Sequence, residues 1–380
     1  MKHYSLCMSL GALLLVPNFL FAKKPVGLPN CGASCYLNSV MQNLYNMTLL
    51  RELVIQNKNI YKPNSAAIDF IELMEQMKTA QKIKSEYILE IYHNLMEHLT
   101  HSVSDIQVPQ FTKGRQEDAQ EFLSALLDNI SSTDIAGNKN QANGIKNLYF
   151  FNQHKQIIIP VTNEKMSPRI EPSAILSLPI QSTDKNLVDI LGHYFLEPEH
   201  LEEYTDQQTG IKYNTPGNLV KRITRISYLP EYLMVQLVVF ELDLTTGERH
   251  KILTPITISP QLDLKPYVDN PMREKNTVYE LIGISVHMGS SIQSGHYIAY
   301  VKTTPENKWW LCNDRNVDEQ TPPFIKPNWH PTDDARPYLL FYKRKDNQVS
   351  PIEAPIDISN SLKTLEQDLS ALLHSFKLRH

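Results

Sequence analysis

The sequence predicts an α+β protein whose helical half precedes its β-rich half. Apolar residues recur at helical spacing between about positions 37 and 130, and short β-like runs separated by polar turns fill about positions 148 to 342. Helices followed by strands are typical of α+β proteins, whereas a parallel α/β sheet needs the two to alternate. The polar stretch from Ser131 to Asn147 contains Gly137 and Gly144, and we expect it to form a loop at the junction of the two halves.

The composition is that of a globular protein with a substantial core. The chain has 380 residues, of which 42% are hydrophobic and 21% charged, so it can fold without disulfide or metal staples. This length predicts two domains, or one large domain with two lobes. The net charge of −4, without a long basic run, argues against a nucleic-acid-binding protein, which would carry clustered positive charge.

The N-terminal segment has the layout of a secretory signal peptide. A basic start at Lys2 is followed by an apolar stretch that ends at Ala22, and a lysine pair comes next. The alternative is a short membrane anchor, but Pro17 and the modest length do not favour a span, which needs about 20 apolar residues. We therefore expect residues 1–22 to be cleaved and the remainder to be exported, without a stable membrane span.

The cysteine count does not favour a disulfide framework. Cys7 would leave with the signal peptide, so the exported chain would keep an odd and sparse set, Cys31, Cys35 and Cys312. Free thiols indicate work in a reducing compartment. Together, the two observations predict a protein that is secreted and then acts in such a compartment.

The C-terminal segment, residues 346–380, is predicted to be a linker followed by an amphipathic helix. Pro351 and Pro355 mark the linker. This helix either packs on the protein's own domain or forms a short coiled coil, and too few heptads are present to choose between the two. Its apolar residues recur at alternating steps of three and four, at Leu362, Leu365, Leu369, Leu372 and Phe376.

Cys35 has the surroundings of a nucleophilic thiol. It follows the small residues Cys31 to Ser34 and opens a helical pattern in which apolar residues share one face. In the first helical turn, free N–H groups and the macrodipole favour a thiolate, and Ser34 is expected to cap the helix. Asn30 can donate an amide N–H to the oxyanion that forms when a thiolate attacks a carbonyl. The alternatives are a buried structural cysteine, or a zinc site made of Cys31, Cys35, His287 and His296.

A β-hairpin is predicted around His296. Residues 279–286 and 296–301 have the pattern of two strands, and the glycine-containing stretch 288–295 between them is expected to be a loop. A polar turn then leads to a third strand at 309–313. His296 therefore lies at the start of the middle strand, directly after the loop.

The third strand offers His296 a polar partner. If Val301 pairs with Lys308, His296 lies opposite Asn313, with the Cβ atoms of the pair about 5 Å apart. An amide or carboxylate in that position holds a catalytic histidine in one tautomer and orientation. Asp314 is the competing partner, because a shift of one residue would exchange the two.

These segments together resemble the ubiquitin-specific protease family of deubiquitinases, which is peptidase family C19. The cysteine segment looks like the family's cysteine box, and the hairpin, with His287, Gly295 and Tyr297 around His296, looks like its histidine box. The resemblance covers most of the chain, because its segments follow one another in the expected order: Gly27 to Ser39, Gln116 to Phe122, Tyr279 to Tyr300, Asn313 to Asp314 and Tyr338 to Tyr342.

The resemblance implies a papain-like cysteine protease fold with a helical thumb, a β-rich palm and fingers, within a catalytic domain at residues 23–345. It implies thiol-dependent hydrolysis of the bond after the C-terminal glycine of ubiquitin or a ubiquitin-like protein, which with its conjugates is the partner. No cofactor is implied. The alternatives are an inactive ubiquitin-binding module of the same fold and a general papain-like cysteine peptidase.

The same resemblance assigns roles to residues at matching positions. Cys35 is the implied nucleophile and His296 the implied base, with Asn313, or Asp314 in its place, as the residue that orients the base. Asn30 is implied in the oxyanion hole. A further set is implied to bind the substrate, and it consists of Gln116, Asp118, Glu121, His287, Gly295 and Tyr297.

The chain also departs from the family's pattern. Many members carry a pair of Cys-x-x-Cys zinc knuckles in the fingers, and this sequence has none. The region from Phe151 to Arg222 is also short, so we expect reduced fingers and no metal. An exported N-terminus is unusual for a cytosolic eukaryotic family, and it predicts a bacterial effector that is delivered into the cytosol of a host cell.

Overall fold

The computed structural model describes the central part of the chain. It covers residues 24–100, 111, 114–132, 139–159, 164–165, 169–206, 210–214, 220–243, 245–271, 276–291, 294–327, 329–331 and 333–345. The predicted signal peptide (1–22) and C-terminal helix (346–380) lie outside the described residues, so both stay predictions.

The first half of the described chain is helical, as the sequence predicts. Each helix turns an apolar stripe inward, and the cap of α5 is formed by Asp118, whose side chain accepts hydrogen bonds from the backbone N–H groups of Gln120 and Glu121. The helices are α1 (Cys35–Asn46), α2 (Thr48–Gln56), α3 (Ala66–Thr79), α4 (Ser85–Thr100), α5 (Ala119–Ser131) and α6 (Lys139–Lys146).

The second half is built on an eight-stranded sheet with the order β16-β15-β14-β13-β17-β9-β4, in which β12 also pairs with β13. Helix α7 (Leu187–Leu196) packs beside it against β4. The strands of this sheet are β4 (Ile175–Pro179), β9 (Tyr232–Val238), β12 (Gln261–Asp263), β13 (Val278–Ser291), β14 (Ser294–Thr303), β15 (Lys308–Asn313), β16 (Asn316–Glu319) and β17 (Arg336–Arg344).

A second, five-stranded sheet is formed by the region predicted to be short fingers, with β1 and β8 at its centre. Two small hairpins complete the β structure: β6 (Glu203–Thr205) with β7 (Lys212–Asn214), and β10 (Phe240–Leu242) with β11 (Arg249–Lys251). The strands of the five-stranded sheet are β1 (Phe151–Ile159), β2 (Glu164–Lys165), β3 (Arg169–Ser173), β5 (Glu199–Leu201) and β8 (Val220–Tyr228).

Helix α1 joins the two halves. Every residue from Cys35 to Leu44 is buried, which is unusual for a helix that includes several asparagines. The Asn43 amide donates to Ser285 Oγ at 3.1 Å, and the Asn46 amide donates to two sheet carbonyls at 2.8 and 3.0 Å. These bonds fix α1 against β13 and β14, because a buried amide must find partners within the protein.

Two predictions about loops are wrong. The stretch from Ser131 to Asn147 contains α6, because Ala142 and Ile145 lie on one face of a helical turn and are both buried in the main core. The stretch 288–295 is also not a plain loop. Strand β13 runs on to Ser291, so the two strands continue to pair almost to the tip of the hairpin.

The described residues offer no helix that is long and apolar enough to cross a membrane. Among the same residues, no group of three or more histidine, cysteine, aspartate and glutamate side chains could hold a metal ion.

Candidate active site

A tight turn places Cys35 at the first residue of α1. Gly32 (φ +83°) and Ala33 (φ +56°) both have left-handed backbone conformations, which turn the chain into the helix. Ser34 occupies the cap position, but the prediction that its side chain caps the helix is wrong. Its hydroxyl instead accepts from the Cys31 N–H at 2.9 Å, inside the turn. The Cys35 thiol is buried at this helix N-terminus, where the macrodipole favours a thiolate.

The Cys31 thiol lies beside two backbone carbonyl oxygens. Its sulfur lies 3.8 Å from the Pro29 carbonyl oxygen and 3.6 Å from that of Ser85. Burial raises the pKa of the Cys31 thiol, which disfavours the thiolate that a metal would require.

The hairpin brings Asn313 to His296, but in a different register from the one predicted. Thr303 pairs with Lys308 and Ala299 with Cys312, so the third strand is displaced by two residues relative to a Val301–Lys308 pairing. The turn after Thr303 is shorter than expected, which is why the register differs. A two-residue displacement leaves every side chain on its face of the sheet. Asn313 therefore reaches His296 diagonally, and its Oδ1 lies 2.8 Å from the imidazole Nε2.

His296 also bonds to the Cys35 thiol. Because Asn313 Oδ1 accepts from Nε2–H, the other ring nitrogen, Nδ1, is free to exchange a proton with the thiol. The hydrogen bond with Cys35 raises the pKa of His296 to about 9; burial opposes this shift, and the Asn313 amide adds to it. The ring is therefore protonated over the physiological range and can donate a proton.

Asp314 faces Asn30 more closely than it faces the imidazole. Its Oδ2 accepts from Asn30 Nδ2 at 3.0 Å, whereas the distance from Oδ2 to His296 Nε2 is 4.0 Å. Its Oδ1 accepts from Asn38 Nδ2 at 2.7 Å. The geometry thus favours Asn313 over Asp314 as the partner of the ring, and it places Asp314 beside the side chain expected to bind an oxyanion.

Among the residues implied to bind the substrate, Asp118 has its carboxylate occupied by contacts within the fold. Its carboxylate caps α5 and accepts from the Tyr338 hydroxyl at 2.6 Å, and burial raises its pKa. Glu121 is exposed in the first turn of the same helix. Gln116 is half-buried, and its Nε2 has no hydrogen-bond partner among the described residues. Gln116 and Glu121 are therefore available to a substrate, and Asp118 is not without a rearrangement.

We expect the Asp118→Ala variant to lose about 2–3 kcal/mol of unfolding free energy, because the helix loses its cap and the buried Tyr338 hydroxyl loses its acceptor. Urea unfolding measures this. The matched control is Glu121→Ala on the same helix, which should change the unfolding free energy by less than about 0.5 kcal/mol. An unchanged unfolding midpoint for Asp118→Ala would contradict the capping role.

His287 and Tyr297 lie below the hairpin, in the core. Both are buried, with the rings in an edge-to-face contact at 4.8 Å between centroids. The Lys251 ammonium lies 2.9 Å from His287 Nδ1 and donates to the carbonyl oxygens of His287, Gly289 and Asp334 at 3.0, 2.7 and 2.7 Å. Burial, followed by this ammonium, lowers the pKa of His287 to about 4. Both rings lie in the core and support the hairpin.

Gly295 lies directly before His296 and is exposed, with a φ of +138°. An added Cβ would lie 2.1 Å from the Met288 carbonyl oxygen and 3.1 Å from His287 Nε2. Only glycine fits where the two strands approach so closely. Its position sets the course of the backbone into His296.

Three residues at the site were not found from the sequence: Asn38 and Tyr92, which contact one another behind Asp314, and Lys251. Asn38 had a usable signal. It lies one helical turn after Cys35 on a helix with an apolar face, and an amide buried in such a helix must be paired with another group. Lys251 and Tyr92 have no local signal, because their partners are distant in sequence.

A buried thiol that bonds an imidazole, which is in turn held by an amide, is the arrangement of a cysteine hydrolase. A sequence model of the family described as ubiquitin carboxyl-terminal hydrolase matches residues 26–342. This match covers most of the chain, and the chain therefore belongs to that family.

Individual relatives are similar over the same region. Ubiquitin carboxyl-terminal hydrolase 48 of Danio rerio is 26% identical over 369 residues, which cover 90% of this chain and 34% of that protein. The protein of the same name from Rattus norvegicus is 30% identical, over 77% of this chain and 28% of the relative. Ubiquitin carboxyl-terminal hydrolase 15 of Saccharomyces cerevisiae is 27% identical, over 77% and 23%. The chain spans about a third or less of the length of these curated relatives.

Among solved structures, the yeast SAGA DUBm is similar with a TM-score of 0.66 at 22% sequence identity, over 87% of this chain and 71% of that chain. This likeness confirms the predicted fold, an α+β architecture of the papain-like kind.

Proposed function

We propose that the chain is a thiol-dependent deubiquitinase, with residues 23–345 as its catalytic domain. It hydrolyses the isopeptide or peptide bond after the C-terminal glycine of ubiquitin or a ubiquitin-like protein. One observation carries the proposal: within the fold of this family, Cys35, His296 and Asn313 form a continuous thiol–imidazole–amide chain. The family's name supplies the substrate class, and the geometry supplies the chemistry.

In the proposed reaction, the Cys35 thiolate attacks the carbonyl carbon of the terminal glycine. The oxyanion is held by the Asn30 amide and by the backbone N–H of Cys35. Asn30 has two amide N–H groups, so one can stay with Asp314 while the other turns to the oxyanion. The His296 imidazolium protonates the leaving lysine amine, and neutral His296 then takes a proton from the water that hydrolyses the thioester.

The raised pKa of His296 predicts where activity is lost at high pH. The imidazolium keeps its proton until the pH reaches about 9, so kcat/KM should fall above about pH 9 and not above the usual value for histidine. Asn313→Ala removes a group that raises this pKa, and the alkaline limb should then move to lower pH. The measurement is a pH profile of kcat/KM with a fluorogenic ubiquitin substrate. Asn316→Ala, at an exposed asparagine beyond the same strand, is the matched control.

The proposed function is tested with ubiquitin that carries a C-terminal electrophile. We expect a one-to-one adduct with the exported form of the protein, and peptide mass spectrometry should map it to Cys35. A parallel panel of ubiquitin-like probes identifies the modifier. Binding without an adduct would indicate an inactive ubiquitin-binding module, and cleavage of unfolded proteins without an adduct would indicate a general peptidase. Either result would overturn the proposal.

We further propose that the protein is a bacterial effector that is exported through residues 1–22 and acts in the cytosol of a host cell. The signal-like N-terminus supports export, and the free thiols Cys31, Cys35 and Cys312 support a reducing destination. N-terminal sequencing of protein recovered from the medium should begin at Lys23. Recovery of the uncleaved chain in membranes would instead support an anchor.

A further inference from the structure

We propose that Asn38 and Tyr92 are positioning residues for the oxyanion site. They hold Asp314 in place, and Asp314 in turn holds the Asn30 amide, whose N–H donates to the developing oxyanion. The inference rests on the proposed function, since it assigns a reaction to the cleft beside Asn30. It concerns side chains on α1 and α4, outside the thiol–imidazole–amide chain.

A continuous series of hydrogen bonds carries the proposal. The Tyr92 hydroxyl, on α4, donates to Asn38 Oδ1. Asn38 Nδ2, on α1, donates to Asp314 Oδ1 at 2.7 Å. Asp314 Oδ2 then accepts from Asn30 Nδ2 at 3.0 Å. The series runs from the helical half of the protein, through the Asp314 carboxylate, to the exposed Asn30.

Tyr92 and two backbone carbonyl oxygens together set which way the Asn38 amide points. Both side chains are buried, with 4% and 3% of their surfaces exposed, so each polar atom must be satisfied within the protein. The hydroxyl donates to the amide oxygen, which turns the amide nitrogen toward the carboxylate. The same nitrogen lies 3.3 Å from the carbonyl oxygens of Leu28 and Pro29. Without the hydroxyl, the buried amide oxygen loses that donor, and the Asn38 amide is held less firmly toward Asp314.

The backbone around Asp314 leaves this carboxylate little freedom. The Leu28 N–H donates to the Asp314 carbonyl oxygen at 3.0 Å, and a Cβ on Gly27 would lie 2.1 Å from the Arg315 carbonyl oxygen. The segment that carries Asn30 is thus in direct contact with the backbone at 314–315. Asn30 itself is exposed, and its orientation depends on Asp314 at one end and on the Ser34 N–H at the other, at 3.1 Å.

Losing the Asn38 donor should change the charge balance at the imidazole. The Asp314 carboxylate lies 4.0 Å from His296 Nε2 and is drawn away from it by its two amide donors. A carboxylate released by Asn38 would turn toward the imidazolium and stabilise its proton. Asn30 would lose its anchor at the same time. Among the described residues, the other titratable or charged groups that act on this region include Cys31, Cys35, Tyr36, Tyr92, Glu86, His287 and Arg315.

The test is Tyr92→Phe, which keeps the ring and removes the hydroxyl. We expect kcat for a ubiquitin–lysine isopeptide to fall about tenfold. A loss of this size corresponds to weakening the one hydrogen bond that Asn30 donates to the oxyanion in the transition state. KM should stay within about twofold, because the substrate's contacts are unchanged. The alkaline limb of the pH profile should move to higher pH. Tyr87→Phe, at a half-buried tyrosine on the same helix, is the matched control and should match the wild type in both measurements.

Two further measurements keep the proposal testable. Asp314→Asn removes the charge, so the pH shift caused by Tyr92→Phe should vanish in that background. Iodoacetamide alkylation of Cys35 against pH, read by peptide mass spectrometry, reports the imidazole without any ubiquitin. One outcome is a wild-type protein that fails to cleave ubiquitin while Tyr92→Phe still moves the pH dependence of Cys35 alkylation to higher pH. That result would reject the proposed function and leave the hydrogen-bond network supported. A Tyr92→Phe protein that is less stable but has an unchanged kcat and pH profile would overturn the positioning role.

Discussion

Replacing Cys35 by alanine is expected to abolish hydrolysis of ubiquitin conjugates while leaving ubiquitin binding intact. Loss of a nucleophile removes the acyl-enzyme route entirely, so kcat should fall by at least about ten-thousand-fold. The fold should persist, because alanine removes only one atom from a buried helix start and suits the helix. Single-turnover cleavage of a ubiquitin–lysine isopeptide measures the first effect, and calorimetric titration with ubiquitin measures the second.

Cys312 provides the control for this substitution. It is also a buried thiol, on β15, but it belongs to a separate small cluster with Ala299, Val301 and Val317. Burial raises the pKa of Cys312 to about 12, so its thiol stays protonated at neutral pH. Cys312→Ala should therefore keep kcat within about twofold and lose only about 1 kcal/mol of stability. Substantial hydrolysis by the Cys35→Ala variant would show that the nucleophile has been placed wrongly.

The pairing of His296 with Asn313 was accessible to sequence reasoning even though the predicted register was wrong. In a β-hairpin, the side chains of one face recur every second residue, so an error of two residues changes the partner but preserves the face. An error of one residue would have selected Asp314. The prediction therefore depended on the parity of the register, and the turn length alone could not guarantee that parity.

The role of Asp118 shows a limit of local sequence patterns. A carboxylate just before an amphipathic helix can either cap the helix or face a ligand. The local sequence pattern is the same in both cases. The two roles are distinguished by Tyr338, which lies 220 positions further along the chain and donates its hydroxyl hydrogen to the Asp118 carboxylate. Tyr92 and Lys251 were missed for the same reason. Their partners come from distant segments that only the folded sheet and helices bring together.

The polar stretch that contains α6 illustrates a different limit. Its asparagines, glutamines and glycines favour a loop by propensity. Two apolar residues, Ala142 and Ile145, are enough to fix a short helix once α5 and α2 provide a surface for them. Tertiary packing overrides weak local preferences in such short elements.

The second large effect is expected for Gly295→Ala. This substitution adds one methyl group where none fits: the Cβ would lie 2.1 Å from the Met288 carbonyl oxygen, and the φ of +138° is one that L-residues rarely adopt. The two strands must separate, and the backbone that carries His296 must move with them. A displacement of about 1 Å at a catalytic group can cost about a hundredfold, so kcat/KM should fall by that order. Steady-state hydrolysis of a fluorogenic ubiquitin substrate measures this loss.

Gly192→Ala supplies the matched comparison, because the glycine lies in helix α7 with nothing within 4 Å of an added Cβ. That variant should gain up to about 1 kcal/mol of unfolding free energy and keep its activity. For Gly295→Ala, the hairpin argument requires a particular pattern: lower kcat/KM together with slower alkylation of Cys35, because the displaced imidazole no longer supports the thiolate. Normal alkylation with impaired ubiquitin hydrolysis would place the effect of Gly295 on substrate entry. Wild-type behaviour in both assays would contradict the close approach of Gly295 to Met288.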